Sequence, residues 1–257
     1  MRIYLLDLGW MEGDENWMIA LSSFATKDNR NVRSRWSEFP VYGVLIETET
    51  GLILYDTGMN PADCDVSNRF PYYYRDNQLL TEQLKLMNYK VEDISAVVLS
   101  HLHDDHCGNL GLFTHADVYV AESEFKYVRT EKTNGRTPRG AYKRALTEGF
   151  NFKLVKADFW LTEKVKVINL PGHTPGFLGL QVHLEKDGVK LFVMDASNSK
   201  QNYGPPAVTA VGLYNNEQYY NSIEKIRNLE KEHNAEVIFG HDMEQFRRLR
   251  QAPDFYT

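Results

Sequence analysis

The sequence predicts an α/β fold made of two similar halves that pack face to face. Two observations lead to this prediction. The same succession of a β-hairpin, an acidic residue, a helix, a strand and a histidine occurs twice, and its spacing is almost the same each time. The interval from Asp56 to His101 is 45 residues, and that from Asp195 to His241 is 46. No Pro-, Ser- or Gly-rich linker separates the halves, so we expect a single domain over residues 1–257.

The first half leads from a hairpin through a helix to a buried strand. Two β-rich runs separated by Gly51 are typical of a hairpin. Leu80, Leu84 and Met87 have helical spacing, and a later continuous apolar run indicates a strand that is buried on both faces. In chain order, we expect an edge strand at 3–8, a loop with Trp10, Met11, Trp17, Met18 and Phe24, hairpin strands at 41–47 and 52–55, a helix at 78–87 and a strand at 96–100.

The second half repeats this plan after an excursion at 122–156, which we expect to be exposed and helical or looped. Met194 leads into Asp195 as Tyr55 leads into Asp56, and the last strand ends at Gly240-His241. Because ligand sites in α/β sheets lie at the carboxyl ends of strands, these acids and histidines mark the expected site. The predicted elements are strands at 165–170, 177–184 and 189–194, a helix at 218–231 and a strand at 236–239.

The composition excludes several classes of partner. The chain has 29 Lys and Arg against 35 Asp and Glu, with no basic run, so a nucleic-acid partner is not expected. The longest stretch without a charged residue, 167–184, contains Pro171 and Pro175 and cannot form a membrane-spanning helix. Cys64 and Cys107 provide no disulfide framework, as is typical of cytoplasmic proteins. We therefore expect a cytoplasmic enzyme that acts on a small molecule.

The segment directly after the strand at 96–100 predicts a metal site. His101, His103, Asp105 and His106 lie within six positions, and the first two point to the same side of an extended chain. Such a cluster of nitrogen and oxygen ligands suits Zn²⁺, with iron, manganese or cobalt as alternatives. A solvated polar loop with histidines by chance is the other interpretation, but it rarely collects so many metal-competent groups behind a buried strand.

Three further candidates, His173, Asp195 and His241, each follow a predicted strand. Singly, they could be a turn residue, a helix cap and a surface group. Together they indicate a second cation, because all of them belong to the edge where an active site is expected. The remaining histidines lack this setting and are expected to be structural or solvated: His115, His183 and His233.

The order of these residues resembles the metallo-β-lactamase-fold hydrolases, whose His-x-His-x-Asp-His signature matches residues 101–106. Within that superfamily the chain is most similar to N-acyl-homoserine lactonases and pyridoxolactonases. The resemblance implies a four-layer αβ/βα sandwich with two divalent metal ions, and Asp56 orienting ligand imidazoles from behind. It implies His101, His103 and His173 around one metal, Asp105, His106 and His241 around the other, and Asp195 as the bridge.

The mechanism that the resemblance implies is ester hydrolysis by a hydroxide that bridges the two metals. One metal would polarise the carbonyl oxygen of a lactone, the other would receive the departing alkoxide, and Asp105 would move the proton. A thioester or other small-ester hydrolase is the alternative of the same class. A diiron oxidoreductase, and a binding module that has kept only the fold, are the alternatives of other classes.

Two positions depart from the lactonases. Those enzymes carry a catalytic tyrosine where this chain has Asn198, whose amide donates a hydrogen bond but cannot act as an acid. Either Asn198 takes the role, or another tyrosine reaches in, or the substrate differs. The candidate tyrosines are Tyr203, Tyr214, Tyr72, Tyr73 and Tyr74. Asp104 stands where an apolar aromatic residue lines the acyl channel, and it either attracts a polar group or points to water.

The expected substrate-binding residues are Met11, Phe70, Tyr73, Asp104 and Gly212. For the aromatic residues, packing in the core or in a homodimer interface is the alternative.

Overall fold

The computed structural model describes residues 1–62, 70–129 and 149–257. These residues form two β-sheets that face each other, with helices on the outer sides. The strands of the seven-stranded sheet run in the order β4-β1-β2-β3-β5-β6-β7, and those of the five-stranded sheet in the order β12-β11-β10-β9-β8. The strands of the first sheet are β1 (Arg2–Asp14), β2 (Trp36–Thr48), β3 (Gly51–Tyr55), β4 (Tyr72–Tyr73), β5 (Ile94–Val98), β6 (Asp117–Ala121) and β7 (Asn151–Val155).

The second sheet and the helices complete the sandwich. The strands are β8 (Phe159–Trp160), β9 (Val165–Asn169), β10 (Leu178–His183), β11 (Val189–Met194) and β12 (Glu236–Phe239). The helices are α1 (Glu15–Met18), α2 (Leu80–Lys85), α3 (Asp104–Cys107), α4 (Glu122–Arg129), α5 (Lys200–Tyr203), α6 (Asn216–His233) and α7 (Met243–Phe246). The predicted αβ/βα sandwich is thereby confirmed.

The two halves share one local topology, as their repeated order predicts. In the first, β2 and β3 form an antiparallel hairpin and β5 adds in parallel to β3. In the second, β10 and β11 form the hairpin and β12 adds in parallel to β11. Parallel pairing brings the carboxyl ends of β3 and β5 together, and likewise those of β11 and β12. Asp56 and Asp195 follow the second hairpin strand of their halves, so both acids lie at this edge.

Three local predictions are corrected by the structure. β1 continues to Asp14, past a register shift at the left-handed Gly9 (φ 99°), so Trp10 and Met11 belong to a strand and not to a loop. It is also not an edge strand there, because β4 pairs with it at these two residues. The excursion at 122–156 contains α4 and a sheet strand, β7, while residues 130–148 lie outside the described part, as does Cys64. The short runs that form β4 and β7 gain stability only from pairing partners remote in sequence, which a local pattern does not reveal.

The space between the sheets is filled by one apolar core that draws on both halves. Val44 and Ile53 of the first sheet share it with Leu180 and Phe192 of the second, and all four are buried. A second apolar cluster covers the outer face of the first sheet beneath α2, whereas α6 packs on the second sheet through Ile223 and Ile226. Within the described ranges, no helix has the length and apolar character that a membrane span requires.

Candidate metal centre

The first half delivers its candidate ligands through a turn that is fixed from behind by Asp56. This fully buried carboxylate accepts hydrogen bonds from the backbone N–H and the hydroxyl of Ser100, both at 2.7 Å. Its Oδ2 also lies 2.8 Å from Nδ1 of His106. Burial raises the pKa of Asp56, although His106 and the Ser100 bonds oppose that shift. Because Nδ1 of His106 is bonded to Asp56, Nε2 is the ring nitrogen directed at the candidate metal site. Asp56 therefore lies where it was predicted to orient an imidazole.

One group of side chains lies around Oδ2 of Asp195. Nε2 of His173 is 3.2 Å from this oxygen and Nε2 of His101 is 4.0 Å from it. His103 completes the group, since its Nδ1 is 3.2 Å from Nε2 of His173. The ligand atoms of the four residues are all within 4.8 Å of one another. Three imidazoles and one carboxylate oxygen therefore converge on a single point.

A second group lies around Oδ1 of the same carboxylate. Nε2 of His241 is 3.0 Å and Nε2 of His106 is 3.3 Å from this oxygen. Oδ2 of Asp105 lies 3.4 Å from Nε2 of His241 and 3.2 Å from that of His106. His241 is held by the carbonyl oxygen of Pro40, 3.0 Å from its Nδ1. Asp195 thus presents one oxygen to each group, which is the arrangement of a carboxylate between two cations.

Glycine at position 240 makes room for this carboxylate. A Cβ at Gly240 would lie 2.9 Å from Oδ1 of Asp195 and 2.7 Å from the carbonyl carbon of Met194. Since real Cβ atoms hardly ever approach other atoms so closely, any side chain here would push β12 away from β11. The dipeptide Gly240-His241 therefore combines a close approach of backbone with a ligand-type side chain, at the end of a strand.

The charges of the two groups are arranged for positive ions. Burial lowers the pKa of His101 and His173 and brings that of His103 to about 3. These imidazoles are therefore neutral and can donate an electron pair to a cation. Burial also acts on Asp105, but His106 and His241 outweigh it and lower its pKa to about 2. Neutral imidazole and ionised carboxylate are the protonation states that metal binding requires. In the second group Asp105 and Asp195 outweigh burial and raise the pKa of His106 and His241, so these two imidazoles must release their protons when a metal binds.

Several buried atoms at the centre have no hydrogen-bond partner among the described residues. They are Nε2 of His101, Nε2 of His106 and Oδ1 of Asp195, and all three face the middle of their groups. Unsatisfied buried polar atoms are costly, so their grouping here indicates a missing partner of positive charge. Nitrogen and oxygen donors in two groups of this size fit a dinuclear site for divalent cations.

The side chains expected to be structural lie outside both groups. His183 and His233 contact each other, with ring centroids 5.4 Å apart, and His115 contacts Phe113. Cys107 is buried next to His106, and burial raises the pKa of its thiol well above the ordinary value. A thiol that stays protonated is a poor metal ligand and a poor nucleophile.

The predicted substrate residues are more dispersed than the predicted ligands. Met11 is buried in β1, Tyr73 is stacked on Trp10, and Phe70 contacts Trp17 edge to face. Asp104 is the first residue of α3, between the candidate ligands His103 and Asp105. Gly212 has a left-handed backbone (φ 92°), and two residues later the N–H of Tyr214 donates to the carbonyl oxygen of His173. Of these five, Asp104 and the segment of Gly212 lie directly next to ligand-bearing segments.

Asn198 is buried beside the second group and contacts α1. Its backbone carbonyl accepts from the N–H of His241 at 2.8 Å. Its amide nitrogen is 3.4 Å from the Met18 carbonyl oxygen and 3.5 Å from its sulfur, whereas Oδ1 has no partner among the described residues. The alternative Tyr203 is committed elsewhere, because its hydroxyl donates to Glu230.

A cleft of about 1080 Å³ runs along β12 and α7, and of the seven candidate ligands, all of which the structure describes, only His241 lines it. Met18, Phe39 and Asn198 also line it. None of the five predicted substrate residues, all within the described ranges, lines it. Sequence reasoning did not predict that Phe39 and α1 line this cleft. The signal available was the dipeptide Phe39-Pro40 in β2, since the carbonyl oxygen of Pro40 holds His241.

The comparisons with known proteins agree with this geometry. A family model described as the metallo-beta-lactamase superfamily matches residues 36–241. The chain is 35% identical to the N-acyl homoserine lactonase AiiB of Rhizobium rhizogenes and to that of Agrobacterium fabrum, each over 99% of both chains. It is 30% identical to the N-acyl homoserine lactonase of Bacillus cereus, over 84% of this chain and 86% of that protein.

Solved structures give the same result. An N-acyl homoserine lactone hydrolase with the product N-hexanoyl-L-homoserine bound at its catalytic metal centre superposes with a TM-score of 0.85. The two proteins are 25% identical, and the match covers 99% of this chain and 98% of that one. AidC, a dizinc quorum-quenching lactonase, shares the fold with a TM-score of 0.71 at 19% identity, over 99% of this chain and 93% of that one.

Proposed function

This chain belongs to the metallo-beta-lactamase superfamily, and from that membership and its metal centre we propose that it hydrolyses lactones, with N-acyl homoserine lactones or related small lactones as substrates. The observation that carries the proposal is the position of Asp195, whose two oxygens face two separate groups of ligand-type side chains. The relatives described as N-acyl homoserine lactonases support this choice of ester.

We propose that two divalent cations are bound by the residues that the resemblance assigns. His101, His103 and His173 would hold one, Asp105, His106 and His241 the other, and Asp195 would bridge them. Bound there, the cations would lower the pKa of water and polarise the carbonyl oxygen of the substrate. Zinc is the metal we propose, because histidine nitrogen and carboxylate oxygen are its usual ligands in hydrolytic sites.

The chain's own groups supply the proton transfers and the orientation. Asp105 is ionised at neutral pH because His106 and His241 hold its pKa low against burial. Its carboxylate can therefore accept the proton of the attacking water and return it to the alkoxide oxygen of the opened ring. Asn198 is proposed to donate a hydrogen bond from its amide nitrogen to the substrate, for which its two long contacts with Met18 would give way.

We propose that the substrate approaches the metal centre past α1, from the part of the cleft that His241 lines. Beside His241 the lining combines apolar side chains, Met18 and Phe39, with the amide of Asn198. Such a mixture suits a small molecule with an apolar part and a polar ring. A cytoplasmic location is part of the proposal and rests on the sequence only.

A panel of esters tests the proposal. Zinc-loaded protein is offered lactones with varied ring and acyl chain, and acyl thioesters of matched chain length. Proton release by lactones and thiol release by thioesters are measured under the same conditions. We expect lactone opening to have the higher kcat/KM. Faster thioester cleavage would support the small-ester alternative, and no turnover of any ester by protein with two bound metals would support the binding module.

A further inference from the structure

Glu124 is a buried acid that no predicted function accounts for. It lies in the first turn of α4 and is 1% exposed. Burial raises its pKa to about 7, opposed by the hydroxyl of Thr174 and by the N–H groups of Leu102 and Gly176. Burying a carboxyl group costs free energy, so its partners indicate what it does. These three neighbours belong to the two segments that carry the histidines of one metal group.

The first partner lies between two predicted ligands. The backbone N–H of Leu102 donates to Oε1 of Glu124 at 3.2 Å. Leu102 is flanked by His101 and His103, and its own side chain is buried. Because adjacent residues share peptide planes, holding the N–H of Leu102 restricts the backbone from which both imidazoles extend.

The second segment is the turn that carries His173. Ser123, next to Glu124, donates its hydroxyl to the carbonyl oxygen of Pro175 at 3.0 Å. A Cβ on Gly176 would collide with the backbone nitrogen of Glu124 and with its Cβ, so the turn and the start of α4 are in direct contact. The first turn of α4 therefore holds residues 171–176 on one side and residues 100–103 on the other.

We propose that Glu124 is a positioning residue that sets the metal affinity of the His101, His103 and His173 group, and not that of the group formed by Asp105, His106 and His241. This inference rests on the proposed metal centre. Its carboxyl group accepts a hydrogen bond from the segment of His101 and His103, and the turn of α4 to which it belongs contacts the segment of His173. Groups that orient ligands in this way typically change metal affinity by about 10–100-fold when they are lost.

The test compares Glu124→Leu, which removes the acceptor, with Glu124→Gln, whose amide oxygen can still accept from Leu102. Zinc is competed off each variant with a chelator, and the two steps are assigned with His103→Ala and His241→Ala. We expect Glu124→Leu to weaken by about 10–100-fold the step that His103→Ala abolishes. The step that His241→Ala abolishes stays within a few-fold, and Glu124→Gln keeps both steps close to those of the unaltered protein.

Glu230→Leu is the matched control, because it removes a half-buried carboxylate that bonds to Tyr203 and to no ligand-bearing segment. Gly176→Ala, which forces α4 off the His173 turn, should weaken the same step as Glu124→Leu. Unchanged affinity of both steps in folded Glu124→Leu protein overturns the inference, as does an equal loss at both steps. If the unaltered protein itself fails to bind two zinc ions, the proposed metal centre is wrong, which is a distinguishable result.

Discussion

Asp195 is the residue whose change tests the centre most sharply. Because its Oδ1 and Oδ2 face different groups, Asp195→Ala removes an oxygen from each. We expect lactone turnover to fall on the order of 10⁴-fold, as for the loss of one member of a catalytic unit, and metal content to fall as well. Steady-state kinetics and elemental analysis measure the two effects.

The control for Asp195 is Asp158→Ala, which removes a carboxylate paired with Lys225 on the outer side of the second sheet. It should leave turnover within a few-fold. Asp195→Ala protein that retained two metals and its activity would contradict the assignment of the bridge.

Asn198 and Asn202 form a natural pair for testing the substitute for the missing tyrosine. Both amides contact the carbonyl oxygen of Met18, at 3.4 and 2.8 Å, but only the backbone of Asn198 bonds to His241. If Asn198 donates to the substrate, Asn198→Ala should lower kcat by about 10²–10³-fold. Asn202→Ala should cost about 1–3 kcal/mol of stability with little change in kcat.

Equal losses of kcat in the two asparagine variants would mean that both act by anchoring α1. At this scale, the sequence predicted the seven ligand-type residues because each follows a strand. It did not predict Met18 as the neighbour of Asn198, since the two are 180 positions apart and meet only through the fold.

At the scale of elements, the buried Glu124 of α4 should make the stability of the fold depend on pH. The folded-state pKa of Glu124 is about 7, above the ordinary value of 4.5. Between these two pH values the folded protein binds more protons than the unfolded chain, so Glu124 lowers stability as the pH rises. Glutamine does not titrate. The stability of Glu124→Gln relative to the unaltered protein should therefore increase from pH 5 to pH 7 and then level off, by a few kcal/mol at most.

Urea unfolding at several pH values, with the same excess of zinc for both proteins, measures this difference. A pH-independent difference would mean that Glu124 titrates in the folded protein as it does in the unfolded chain.

The elements that sequence patterns missed have a common physical cause. β4 and β8 are each only two residues long, and the predicted loop after residue 8 is the end of β1. The strand β11 and the strand β12, by contrast, were predicted with the observed limits, because an apolar run and a following turn or glycine define them locally. Short strands depend on their neighbours in the sheet and carry no comparable local signal.

At the scale of the whole molecule, two buried tyrosines join the sheets. Tyr55 donates its hydroxyl to the Leu178 carbonyl oxygen and Tyr42 to that of Phe239, both at 2.8 Å. Tyr55→Phe and Tyr42→Phe should each lower the free energy of unfolding by about 1–2 kcal/mol, because a buried carbonyl loses its partner. The losses should add, since the two bonds share no group. Urea denaturation measures the free energies of unfolding, with Tyr220→Phe, a change at an exposed tyrosine, as the control. If neither buried tyrosine variant lost stability, the two bonds would not hold the sheets together.

The repeat in the sequence predicted that the two halves form one sandwich, and the shared core bears this out. What it left open was how α4, in the excursion between the halves, contacts the ligand segments of both. That contact joins residues 22 and 52 positions apart, and no period in the sequence marks it.

Elemental analysis of the purified protein, with protein concentration measured independently, tests the central claim most directly. The seven ligand-type side chains form two groups that share the carboxylate of Asp195, and they predict two divalent metal ions per chain. The double variant His103→Ala/His241→Ala should bind less than one ion per chain. One ion or none in the unaltered protein under metal-replete conditions would contradict a dinuclear centre, and with it the hydrolytic function argued from that centre.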